Sequence, residues 1–128
     1  MNFSQEIIDA VWAKAQTVDG FDENKYRKDV CGAWMIKDSY GDKESIYGWE
    51  IDHICPVSIL KERNISEEVI NNLSNLRALQ WENNRRKDNS YPDYISAVTS
   101  EENKNIKKER SLSVNEKTKA ILKQLYGL

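Results

Sequence analysis

Behind Ser4, the apolar residues Ile7, Ile8, Val11, Trp12 and Ala15 recur at the spacing of one helical face. A serine hydroxyl can accept from the free N–H groups of a first turn, so Ser4 is read as the cap. The pattern predicts an amphipathic first helix, broken at Asp19-Gly20, and a second short helix over 22–30 ended by Gly32. From residue 33 the period changes. Ala33–Ile36 and Tyr47–Ile54 are rich in aromatic and β-branched residues and flank the polar stretch D-S-Y-G-D-K-E-S. These two runs are expected to pair as a hairpin. Pro56 has no N–H to donate, so the second strand's ladder must end there.

Residues 57–74 are expected to form a long connection holding a short helix at 67–73, since Ser66 followed by Glu67 and Glu68 is a helix-start signal. Leu76–Trp81 is read as another strand, and E-N-N-R-R-K-D-N as the start of a polar helix punctuated by Tyr91-Pro92. Beyond that the tail is read as helical. Ser100 with Glu101 and Glu102 resembles a cap for a polar helix over 101–110. Ser113-x-x-Glu116 has capping-box spacing and leads into Ile121, Leu122, Leu125 and Tyr126, with Gly127 as the stop. The expected fold class is α+β, in a single domain over 1–128 with a helical C-terminal extension from about 95.

Composition narrows the classes. A chain of 128 residues, 39% hydrophobic and 31% charged, is long enough to bury a core and too apolar to be disordered. No apolar run reaches the roughly 18–20 residues that cross a bilayer, and M-N-F-S-Q-E-I-I-D-A lacks the basic and apolar regions of a signal peptide. A cytoplasmic location with no membrane partner is the expectation. Cys31, Cys55 and the single histidine are too few for a four-ligand Cys/His zinc site, and the cysteines are expected to be partly buried free thiols. The net charge of −2 argues against a nucleic-acid partner, yet its distribution is uneven. Residues 1–70 carry −6 and residues 71–128 carry +4, the basic half containing R-R-K at 85–87.

The candidate chemistry lies between residues 49 and 87. W-E-I-D-H-I-C-P holds Asp52 and His53, followed by Ser58. Asn75 then opens N-L-R-A-L-Q-W-E-N-N-R-R-K, which places Asn84 nine residues on and Lys87 three beyond that. The spacing D-H-I-x-P-x-S, then N-L-x-x-L-x(4)-N-x-x-K, resembles the HNH nuclease family. It is especially similar to the forms without structural zinc, including the HNH domain of RNA-guided CRISPR effectors. R-K-D-V-C-G-A-W upstream is similar to the lead-in of small bacterial HNH proteins. The resemblance covers roughly residues 27–90.

That resemblance implies a ββα-metal finger flanked by the N-terminal and C-terminal helices. His53 would be the general base and Asn75 would orient it. Asp52 and Asn84 would hold one Mg²⁺ or Mn²⁺, and Arg85, Arg86 and Lys87 would grip DNA phosphates. The residue types suit the task. An imidazole, with an ordinary pKa of about 6.5, can accept a proton at cellular pH. Carboxylate and amide oxygens are hard ligands that suit Mg²⁺. Cationic side chains hold phosphates without reading sequence. Neighbours on a regular strand face opposite ways, so the strand is expected to end or bulge at Asp52-His53 for both to reach one site.

Three departures stand out. I-L-K-E-R-N-I replaces the paired glycines that follow P-x-S in many members. Gln80 and Asn83 stand where one cysteine pair of the zinc-bearing forms would fall, so packing must hold the finger. The acidic total is unusual for a DNA enzyme. The leading expectation is a metal-dependent endonuclease that nicks as a monomer. The alternatives are a non-catalytic nucleic-acid-binding module and an accessory subunit of a phage or mobile-element machine, with a homodimer or a larger protein as partner. The four tryptophans are assigned to the core, and the tail helix either to dimerisation or to closing that core.

Overall fold

The computed structural model describes residues 2–128. Ser4 caps the first helix as expected, its Oγ accepting from the Ile7 N–H at 3.2 Å, and α1 runs Gln5–Trp12. Its apolar face packs Val11 and Trp12 against Met35, Trp49, Ile51, Leu76 and Ala78. Trp12, Trp34 and Trp49 are all buried.

The strands pair differently from the expectation. β1 (Tyr26–Lys28) lies where a helix was expected over 22–30, and it pairs antiparallel with β2 (Trp34–Ile36). Asp29 makes that turn, its Oδ1 accepting from Cys31 N–H and Ala33 N–H, both at 2.9 Å. An aspartate that bonds its own following backbone offers the chain a turn in place of a helix. Gly32 completes the turn at φ 84°, where a Cβ would also stand 2.8 Å from Thr99 Oγ1. β3 (Trp49–His53) pairs with β4 (Leu76–Gln80), not with β2. The expected hairpin of 33–36 with 47–54 is therefore absent. Local alternation identifies a strand but does not choose its partner, and here each run found a different one.

Between β3 and β4 lie α2 (Val57–Glu62), α3 (Glu67–Ile70) and a 3₁₀ turn at Leu73–Asn75. Ser66 caps α3 through the Val69 N–H. α4 (Trp81–Lys87) follows β4 directly, its first turn capped by Gln80 Oε1, which accepts from Glu82 N–H at 2.9 Å and Asn83 N–H at 3.0 Å.

The helical reading of 95–113 is overturned. β5 (Asp93–Glu101) and β6 (Lys104–Ser113) form a long antiparallel ribbon with an irregularity between Ser96 and Val98. Tyr94, Ser96 and Val98 alternate inward, and α4 packs against β5. β6 has no buried residue, so its polar sequence carries no inward stripe to show that it is a strand. Ser100 does not cap a helix; its hydroxyl donates to the Gly32 carbonyl at 2.6 Å. The last helix, α5 (Glu116–Tyr126), is capped by Asn115 and not by Ser113, and Gly127 ends it at φ 71°. Leu122 and Tyr126 join a second core with Cys31, Ile54, Cys55, Leu60, Ile70, Leu79, Tyr94 and Val114. Both cysteines are free and buried there. Among the described residues no helix is long and apolar enough to cross a membrane.

A buried polar network ties the pieces together. Asp29 Oδ2 accepts from the Gln80 N–H and from Asn83 Nδ2, both at 3.0 Å. Asn83 also bonds the backbone of β5, accepting from Ala97 and Val98 N–H at 2.8 Å and donating to the Val98 carbonyl at 2.9 Å. Gln80 and Asn83 thus hydrogen-bond the β1–β2 turn, the β4–α4 junction and β5 into one unit.

Candidate active site

The ladder of β3 and β4 runs in regular register from Trp49↔Gln80 to His53↔Leu76. Strand β3 ends at His53, one of the two expected outcomes, but no bulge precedes it and both residues keep the regular ladder register. Alternation then sends Asp52 and His53 to opposite faces. Asp52 belongs to the face covered by α4. His53 belongs to the face of Trp49 and Ile51, at the open end where burial is only partial.

Asp52 is 4% exposed and lies between two cations. Its cross-strand partner Arg77 donates from Nε to Oδ2 at 2.9 Å, and Lys87 Nζ stands 3.3 Å from Oδ1. Lys87 is fully buried and also donates to the His53 carbonyl at 3.2 Å. Burial pushes its ammonium below the ordinary lysine range, against the pull of Asp52 beside it. The Lys87 side chain is therefore a brace inside the fold and does not face a phosphate. Arg85 lies over the Trp81 ring at 5.2 Å, and Arg86 pairs with Glu109 at 3.1 Å on the exposed side of α4.

Asn84 stands one helical turn before Lys87, over Glu50. Its Nδ2 donates to Glu50 Oε1 at 3.2 Å. Gln80 takes the capping role, which leaves Asn84 inside the helix. Glu50 and Asp52 are two apart on a regular strand and share its α4 face.

Asn75 lies at the entry to β4 and is fully buried. Its Oδ1 accepts from the Cys55 N–H at 2.8 Å, its Nδ2 donates to the Cys55 carbonyl at 3.1 Å and to the Ile70 carbonyl at 3.2 Å, and its own carbonyl accepts from Ile54 N–H at 2.8 Å. Asn75 thus pins the backbone leaving His53. The imidazole itself is bonded by Asn71, whose Oδ1 lies 2.7 Å from Nε2.

Among the described residues, no three His, Cys, Asp and Glu side chains gather around a point. What lies under α4 is the Glu50 carboxylate, bonded by the Asn84 amide N–H, and, two residues along the strand, Asp52. Carboxylate and amide oxygens suit a hard divalent cation. Glu50 and Asn84 fit one only once the Asn84 amide turns its oxygen inward, since Nδ2 now faces Glu50 Oε1, and Glu50 Oε2 also has Lys43 Nζ 3.9 Å away. Asp52 fits one only in exchange for a present partner, because a divalent ion beside Arg77 and Lys87 would crowd three cations onto one carboxylate.

Sequence reasoning missed Glu50, Asn71 and Arg77. Glu50 was legible from the i, i+2 relation to Asp52. Arg77 became legible only once the register with β4 was known. Asn71 carried no local signal. Comparison with protein-family models, with curated proteins and with solved structures finds no match.

Proposed function

We propose that this protein is a metal-dependent endonuclease of the HNH type, hydrolysing phosphodiester bonds of DNA, and that β3, β4 and α4 are its ββα-metal finger. The observation that carries this reading is the order of the motif residues along that unit. His53 ends a strand with its backbone pinned by Asn75, and a helix bearing Asn84 and Lys87 crosses the same pair of strands. His53 would take the proton of the attacking water, which requires its ring, at the open end of β3, to turn from the face it now occupies toward the α4 face. Asn84 would hold Mg²⁺ or Mn²⁺ together with the β3 carboxylates Asp52 and Glu50. When bound, the cation supplies Lewis-acid stabilisation of charge at the phosphate and the leaving oxygen. Arg85 and Arg86, on the outer side of α4, hold flanking phosphates.

A second reading has its own observation. Asp52 is neutralised by two cations and faces away from His53, which favours a non-catalytic nucleic-acid-binding or accessory role for the same unit. Plasmid nicking by the purified chain with Mg²⁺ or Mn²⁺, beside His53→Ala, separates the two. Nicking that is lost in the variant supports the endonuclease. Wild-type protein that binds DNA without cutting it supports the accessory role.

A further inference from the structure

We infer that Asn71 is the positioning residue of His53: its side-chain oxygen accepts from Nε2–H, fixing that tautomer and leaving Nδ1 as the ring's proton acceptor. The inference rests on the proposed role of His53 as base. Asn75, the position that the HNH resemblance assigns to orienting the base, spends its amide on Cys55 and Ile70 and makes no bond to the ring. Asn71 makes that bond, at 2.7 Å. It can do so because it closes α3, with its N–H donating to the Glu67 carbonyl and its own backbone out of the helix at φ −88° and ψ 15°. The α3 segment follows I-L-K-E-R-N-I, the stretch that stands in place of the paired glycines of the family pattern, so the contact comes from the connection between β3 and β4. The Phe3 ring, 5.9 Å from the imidazole centroid and tilted by 41°, packs on the ring and restricts its rotation.

A neutral imidazole carries its proton on one nitrogen, and the bond made by that nitrogen selects it. An amide oxygen can only accept, so Oδ1 facing Nε2 requires Nε2–H. The lone pair is then on Nδ1, the nitrogen turned away from Asn71 on a ring that is only partly buried. Without Asn71 both tautomers are populated, and the fraction competent for proton transfer falls.

His53 is the sole histidine, so ring ¹⁵N signals of the full-length protein report it alone. At about pH 8, above the ordinary imidazole pKa of about 6.5, wild type is expected to show a protonated Nε2 and a bare Nδ1. Asn71→Ala is expected to shift toward a mixture of tautomers, and Asn71→Asp, which keeps an accepting oxygen, to restore the wild-type signature. In nicking assays Asn71→Ala is expected to lower kcat about ten- to a hundredfold with KM unchanged, the range for partners that orient an imidazole, and Asn71→Asp to recover most of it. A protonated Nδ1 in wild type, or an Asn71→Ala tautomer identical to wild type, overturns the inference. The spectrum needs no activity, so a protein that does not nick DNA but shows Nε2–H dependent on Asn71 sinks the nuclease reading and leaves the tautomer assignment standing.

Discussion

Asp52 holds one buried cation, Lys87, and one partly buried, Arg77, and this governs what its replacement reads out. Removing one partner of a buried ion pair leaves an uncompensated charge and costs about 3–5 kcal/mol. Asp52→Asn leaves Arg77 and Lys87 facing each other without a counter-charge. A fall in denaturant-derived stability of that order is expected, and a variant as stable as wild type would show that the triad carries little. Lost activity in Asp52→Asn is therefore no measure of metal binding by itself. Glu50 is the cleaner probe, because it lies at the edge of α4 with 24% of its side chain exposed. Glu50→Gln and Asn84→Ala are expected to weaken Mn²⁺ binding, read by calorimetry or by metal-dependent thermal stabilisation, while changing metal-free Tm little. Unaltered Mn²⁺ affinity in both would remove these residues from the cation site. His53→Ala is likewise expected to unfold at nearly the wild-type temperature, since the ring is only partly buried.

Among the elements, the junction of β4 and α4 is held by buried side-chain hydrogen bonds. Asn83 satisfies two backbone N–H groups and one carbonyl of β5 and Asp29 as well, all of it buried. Truncation leaves several of those groups without partners, each worth about 1–3 kcal/mol. Asn83→Ala is expected to lower stability by about 3 kcal/mol or more and to raise hydrogen exchange in β5 ahead of α1. Uniform exchange would contradict a local role. Gln80→Ala loses both the α4 cap and a donor to the Ile46 carbonyl, so its expected loss exceeds the roughly 1 kcal/mol of a cap alone. Because hydrogen bonds join these elements, EDTA added to protein with no Mg²⁺ or Mn²⁺ supplied is expected to leave Tm unchanged. A drop in Tm on chelation would reveal a structural metal that this geometry does not call for.

For the molecule as a whole, the two groups with the clearest titration consequences sit in the second core. Burial pushes the Cys31 thiol up to about 12, with Asp29 adding to it, and burial pushes the Tyr126 phenol up to about 12. Their ordinary values are 9.0 and 10.0. Above pH 9 the unfolded chain releases protons that the folded chain keeps, so stability is full below that pH and is lost progressively as the pH rises toward 12. Urea midpoints are expected to fall through this window, with a shallower fall in Cys31→Ala. Parallel slopes for the two proteins would show that the thiol stays protonated in both states. Local periodicity and capping chemistry were enough to read α1 and α3, and periodicity to read β4, the strand that ends at His53 and α5, whose cap was misplaced by two residues, because each is written in near neighbours. The motif spacing likewise named His53, Asn75 and Asn84 without coordinates. Periodicity alone put strand partners out of reach, since 33–36 and 47–54 look alike along the chain; only the resemblance implied that 76–81 returns antiparallel to 49–54, as β4 does to β3, and nothing along the chain sent 33–36 to β1. The ribbon of β5 and β6 was hidden because β6 exposes both faces, leaving no alternation to read. The site divided in the same way. Residue types and spacing are properties of the chain. Which face Asp52 takes, which amide holds His53, and that Lys87 is buried depend on strand register and on contacts between distant segments, which only the folded structure decides.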